Sequence, residues 1–179
     1  MFKKIALSVV VLVLLVLAYA ATRPDSYRVQ RSVAIKAPPA AVMALISDFH
    51  QWPLWSPWEK LDPAMTRTYG GAPRDMGAVY SWSGNDKVGA GRMEITGMNA
   101  ASNVTIKLDF LRPFESHNVT EFVLAPDGET TTVTWAMYGP SSYLTKLMSL
   151  VASMDSMIGG DFERGLARLK AAAEQGAHI

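Results

Sequence analysis

The groups in this chain that could do acid–base or metal chemistry are scattered. Two histidines stand outside the last three residues, His50 and His117, with no His-x-His or His-Glu-x-x-His spacing, so no metal site is expected. There is no cysteine, which removes disulfides, thiolate ligands and cysteine nucleophiles together. Serines are plentiful, yet no Gly-x-Ser-x-Gly elbow presents one as a nucleophile. Glu94 and Asp109 fall on the polar parity of their segments and are expected in solvent. Glu121 is the catalytic candidate. Phe122 and Leu124 mark one face of its segment while Val119 and Val123 share its own, so either face could look inward, and burial would then raise its pKa.

What the chain has in quantity is aromatic and methionine surface. Three of its five tryptophans, Trp52, Trp55 and Trp58, fall in one short run with Pro53 and Pro57, which reads as the wall or mouth of an apolar cavity. Near the other end Leu144, Leu147, Met148, Val151, Met154, Ile158, Phe162, Leu166 and Leu169 recur at helical spacing. The candidate ligand-binding set joins both regions to inward strand positions: Trp55, Trp58, Tyr80, Trp82, Met93, Phe110, Trp135, Met137, Met148, Val151, Met154 and Phe162. Methionine suits such a lining because it repacks around varied apolar guests. The competing reading is that these residues simply fill a core.

The elements that must position them follow from periodicity. Tyr27, Val29, Val33 and Ile35 alternate with polar residues in a half-buried strand, with Arg31 as the exception, expected near a strand end or paired with a carboxylate. Pro38-Pro39 opens a short helix to Asp48. Short strands follow: Met65–Tyr69, one around Tyr80, one around Met93, Asn103–Phe110, Asn118–Leu124 and one around Trp135, separated by Gly, Pro and Asp turns. Sequential strands at this spacing predict an antiparallel meander. Ser141 or Ser142 caps a helix running to about Glu174, within which Gly159-Gly160 predicts a bend or an approach too close for a Cβ. Ala177-His178-Ile179 reads as a frayed end.

The first 23 residues are a separate object from a domain at 24–179. Lys3 and Lys4 precede an apolar stretch, Ile5 to Ala21, whose only polar residue before Tyr19 is Ser8. At 17 residues it spans about 25 Å as a helix, close to a hydrocarbon core of roughly 30 Å. It is expected as a single-pass anchor, with the lysines cytoplasmic and the domain across the membrane. Ala18-Tyr19-Ala20 also fits a secretory signal cut after Ala20, leaving a secreted or periplasmic domain. Without Lys3 and Lys4, the 17 Lys and Arg fall to 15 against 16 Asp and Glu, a charge of about −1. No basic run interleaves with the aromatics, so nucleic acid is not an expected partner.

Gly77–Asn85 and Val88–Ile95 resemble the second and third sheet segments of the polyketide cyclase/dehydrase-like branch of the SRPBCC, or START-like, superfamily. Lys107–Phe114, Thr132–Gly139 and Gly159–Leu166 resemble later segments, and the likeness covers about residues 27–174. The chain is also similar to that branch's membrane-anchored members. The resemblance implies an α+β helix-grip fold, a curved antiparallel sheet wrapped around a long C-terminal helix. Members bind lipids, quinones, hormones or polyketides, and only some do chemistry. The leading expectation is therefore a tethered, monomeric module that binds an apolar small molecule or lipid without a cofactor. The alternative is a cyclase or dehydratase in which Glu121, Tyr80 or Tyr138 moves a proton.

Overall fold

The computed structural model describes residues 2–176; the expected frayed end at 177–179 lies outside the described residues. Helix α1 (Phe2–Ala21) is 20 residues long, about 30 Å, because the residues from Phe2 to Lys4 continue the helix ahead of the apolar stretch. Every residue from Phe2 to Val16 is exposed. The Ser8 hydroxyl donates to the Lys4 carbonyl one turn back, so the serine of this apolar run is satisfied inside the helix.

Strand β1 (Ser26–Ile35) is followed by α2 (Pro39–Ile46), whose first residue is a proline that loses nothing by lacking an N–H there. The Trp-Pro segment folds as a single turn, α3 (Trp52–Trp55), flanked by 3-10 turns at Phe49–Gln51 and Trp58–Lys60. Six strands follow: β2 (Thr66–Gly71), β3 (Ala78–Ser83), β4 (Ala90–Asn99), β5 (Asn103–Arg112), β6 (Ser116–Asp127) and β7 (Thr130–Pro140). They form one antiparallel sheet in the order β1-β7-β6-β5-β4-β3-β2, so the predicted meander is present and β1 completes it by pairing with β7.

The last part of the chain differs from the continuous helix expected. Helix α4 (Tyr143–Met148) is capped by Ser142, whose Oγ accepts from the Thr145 N–H, and it ends before a break at 149–153. Ser153 then accepts from the Ser156 N–H and starts α5 (Met154–Gly176). The double glycine lies inside α5 without interrupting it. Of its two expected causes, the close approach is the one found: a Cβ on Gly159 would run into the Arg31 guanidinium. Arg31 is held there by Asp155 and Glu163, each at 2.7 Å, which answers the exception noted in β1.

Helix α5 lies on the sheet through Phe162, Leu166, Leu169 and Ala173, all buried, giving the helix-grip arrangement. It meets the aromatic core closely at Gly165, where a Cβ would sit 2.7 Å from Trp135 Cζ3 and 3.1 Å from Pro57 Cδ. Both neighbours are rigid rings, so neither can give way. We expect Gly165→Ala to destabilise the fold by about 1–3 kcal/mol net, despite a helix-propensity gain of about 1 kcal/mol, as read from urea unfolding.

Candidate functional site

The concave face of the sheet and α5 do not close on each other completely. A cavity of about 210 Å³ remains between them, lined by residues from the Trp-Pro segment, strands β3 to β7 and α5. Its deep wall is Trp52, Tyr80, Met93, Leu108, Thr120, Trp135, Met137 and Phe162, all buried. Half-exposed Trp58, Trp82, Val88, Phe110 and Ile158 form its mouth. The rings hold one another: Trp135 stacks on Phe162 at 4.2 Å and 9°, and Trp58 meets both edge-on at 5.7 and 6.1 Å.

Of the residues expected to line such a space, Trp58, Tyr80, Trp82, Met93, Phe110, Trp135, Met137 and Phe162 are brought together here. Trp55 is not among the lining residues. It is fully buried behind the wall, its indole N–H donating to the Leu45 carbonyl at 2.9 Å and its ring set edge-on to Phe122 and Trp135. Met154 packs against the edge of the core, outside the lining. Met148, the last residue of α4, and Val151, in the break that follows, lie outside the lining, Met148 exposed and Val151 94 % exposed.

The polar part of the lining comes from a residue that the sequence did not single out. Glu59, in the 3-10 turn after Pro57, is buried and lines the cavity. One carboxylate oxygen accepts from Tyr80 OH at 2.6 Å and the other from Arg67 Nε at 2.6 Å. Arg67 also donates to the Glu59 and Met65 carbonyls, fastening this turn to edge strand β2. Burial, then the hydrogen bond to Glu59, push the Tyr80 phenol well above its ordinary value, so it keeps its proton as a donor. The only hints were an inward tyrosine and an arginine on an edge strand, which share no local pattern with Glu59. Among the described residues, no group of three His, Cys, Asp or Glu is placed to hold a metal.

The carboxylates weighed from sequence lie on the outer face. Thr120, Phe122 and Leu124 point inward, so Glu121 faces out, 3.8 Å from Arg28. Tyr138 lies on the same side beneath the Arg28 guanidinium, 5.1 Å from its ring centre. Glu94 is half-exposed beside Arg92. Asp109 departs from the solvated position expected, because only 12 % of its side chain is exposed and His117 and Lys107 approach to 2.7 and 3.0 Å. Burial works to raise its pKa, but these partners outweigh it and hold the carboxyl below the usual range.

Fold and cavity together define a START-like, helix-grip protein. Residues 26–174 match the model of the family described as polyketide cyclase / dehydrase and lipid transport, and the chain belongs to that family. Among solved structures it is similar to a protein from Thermobifida fusca, at 23 % identity and a TM-score of 0.60, over 83 % of this chain and 93 % of that one. Ginseng major latex-like protein 151 from Panax ginseng aligns at 17 % identity and a TM-score of 0.57, over 87 % of this chain and 100 % of that one. A Staphylococcus aureus protein of unknown function aligns at 12 % and 0.61, over 87 % and 99 %. At these identities the likeness is one of fold. No curated protein matches this chain.

Two outcomes test the polar clamp. Glu59→Gln is expected to cost about 2–3 kcal/mol in unfolding experiments, below the roughly 3–5 of a fully buried pair because Arg67 keeps contact with water. An unfolded chain ionises its tyrosines near pH 10.0 while folded Tyr80 holds its proton, so stability falls as pH rises above that point. Tyr80→Phe is expected to make that decline shallower by at most about 1.4 kcal/mol per pH unit.

Proposed function

We propose that this chain is a membrane-tethered, monomeric binding module whose domain, residues 24–179, takes an apolar small molecule or part of a lipid into the cavity beneath α5. The observation that carries this reading is the unfilled space itself, about 210 Å³ with an apolar lining and one polar wall. An apolar cavity of about 150 Å³ accommodates benzene, so this one suits roughly eight to ten non-hydrogen atoms, a ring system or a length of acyl chain. Burying about 200 Å² of guest surface contributes roughly 5 kcal/mol before ordering costs, and a polar contact at the Glu59–Tyr80 pair adds about 1 kcal/mol, an affinity on the order of tens to hundreds of micromolar. The family's description, which includes lipid transport, agrees with such a guest.

Binding fits this lining better than proton transfer. Both Glu59 oxygens already accept short hydrogen bonds, one of them from a cation, so the carboxylate serves as a fixed acceptor. For the first 23 residues, the retained anchor is favoured by what α1 touches. Tyr143 OH donates to the Leu17 carbonyl at 2.8 Å and Ala20 is fully buried, contacts that a cut after Ala20 would discard. On this reading Lys3 and Lys4 remain cytoplasmic and the domain stands outside.

The test is to purify the full chain in mild detergent and identify bound molecules by native mass spectrometry, then measure uptake of a fluorescent naphthalene probe. A bound apolar molecule is expected, and Met93→Trp, which fills the space, is expected to weaken probe binding by about tenfold or more. A protein that carries nothing and takes up no probe overturns the proposal.

A further inference from the structure

The strand registers put several features at one end of the sheet. Ser26 pairs with Pro140, Phe110 with Ser116 and Ser83 with Ala90. The start of β1, the end of β7, the β5–β6 turn and the β3–β4 hairpin therefore share that end. The part of the cavity mouth formed by Trp82, Val88 and Phe110 lies there as well. So does α1, which ends four residues before β1. That link is held close, because the Ser141 N–H donates to the Asp25 carbonyl at 2.7 Å and Lys146 pairs with the Asp25 carboxylate.

The same end carries apolar side chains that the domain leaves largely exposed. Helix α4 has no buried residue, and Leu144, Met148 and Val151 are exposed on it and on the break that follows. Leu111 at the end of β5 and Phe114 on the β5–β6 turn are 56 % and 60 % exposed. Isolated apolar residues on a surface need no account, but a group gathered around a cavity mouth does. What covers them follows from α1. A helix with a mean hydropathy of 2.5 and long enough to cross a bilayer ends against α4, with the Leu17 carbonyl bonded to Tyr143. A four-residue link reaches about 14 Å at most, so α4 cannot lie far from the membrane surface when α1 spans it.

We infer that this end of the domain is a membrane-docking rim, in which α4, Val151 and the Leu111–Phe114 turn enter the lipid interface and the cavity opens directly onto the bilayer. The inference rests on the anchor reading proposed above. It also fits the cavity's size, which takes a segment of a lipid and leaves the remainder at the mouth.

The chain lacks cysteine, so single labels are simple to place. The full chain would be reconstituted into phosphatidylcholine vesicles containing spin-labelled lipid, with a polarity-sensitive fluorophore on Val151→Cys, Phe114→Cys, Leu12→Cys or Glu129→Cys. The last lies on the β6–β7 turn at the opposite end of the sheet. Lipid quenching and a blue shift at positions 151, 114 and 12, with neither at 129, is the expected result. Quenching at 12 with water-like emission at 151 and 114 overturns the docking rim while leaving the anchor in place. An unquenched label at 12 overturns both.

Discussion

The contact on which the rest of this architecture depends is the parallel stack of Trp135 on Phe162, 4.2 Å apart and 9° from coplanar. It fixes the height of α5 above the sheet. Gly165, one turn further along, lets the helix settle to that height by offering no Cβ to the indole. Beyond the stack, α5 supplies only Ile158 to the lining, while the opposite wall is built from Tyr80, Met93, Leu108 and Phe110. Two surfaces held apart by large rings, with one medium side chain reaching across the outer part, leave a gap. Beside the stack, Arg31 of β1, the cross-strand neighbour of Trp135, holds the same part of α5 through Asp155 and Glu163. The cavity is thus a consequence of where the helix is pinned.

The Trp-Pro segment is the second fixed wall, and its polar groups make it so. Trp52 and Trp55 donate their indole N–H groups to the Ile46 and Leu45 carbonyls at the end of α2, satisfying acceptors that a helix terminus leaves open. Glu59 then ties the far side of the segment to β2 through Arg67 and to β3 through Tyr80. A buried carboxylate is costly and adds little net stability even when paired. What it gives here is position, since three elements share one acceptor group whose distances are fixed by charge-assisted hydrogen bonds. An apolar contact in the same place would fill space without specifying it.

Much of this was legible from alternation. In β5, Val104, Ile106 and Leu108 face the core as their parity requires, and the same rule placed Tyr80, Met93, Trp135 and Met137 on the concave side. Parity failed where both faces carry apolar residues: Val119 and Val123 hid the outward direction of Glu121, which only the pairing of β6 with its neighbours decides. Helical spacing failed differently. Leu144, Leu147, Met148 and Val151 keep a helical period into Met154, so the break before Ser153 left no mark in the apolar pattern, and the capping serine was the sign to follow. The adjacent glycines looked like the weaker point, but Arg31 uses the space that Gly159 leaves. Glu59 was illegible because its partners, Arg67 and Tyr80, lie 8 and 21 residues away, and nothing near it in sequence asks for burial.

An apolar guest leaving such a cavity through water must rehydrate the surface it had buried. For about 200 Å² that is a barrier of roughly 5 kcal/mol, three to four powers of ten in rate. A tether alone does not remove this cost, since a domain held near a bilayer with its mouth turned aside still releases its guest into water. On the proposed docking, orientation removes it, and register supplies that orientation: the strand ends at the mouth are those from which α1 departs, and Asp25 is bonded to both the Ser141 backbone and the Lys146 side chain. A guest passing between bilayer and cavity at that end exchanges one apolar surrounding for another. On the same proposal, the short link and the bonds at Asp25 matter as much to exchange as the cavity lining does, and the bilayer is what covers Leu144 and Met148, exposed on α4.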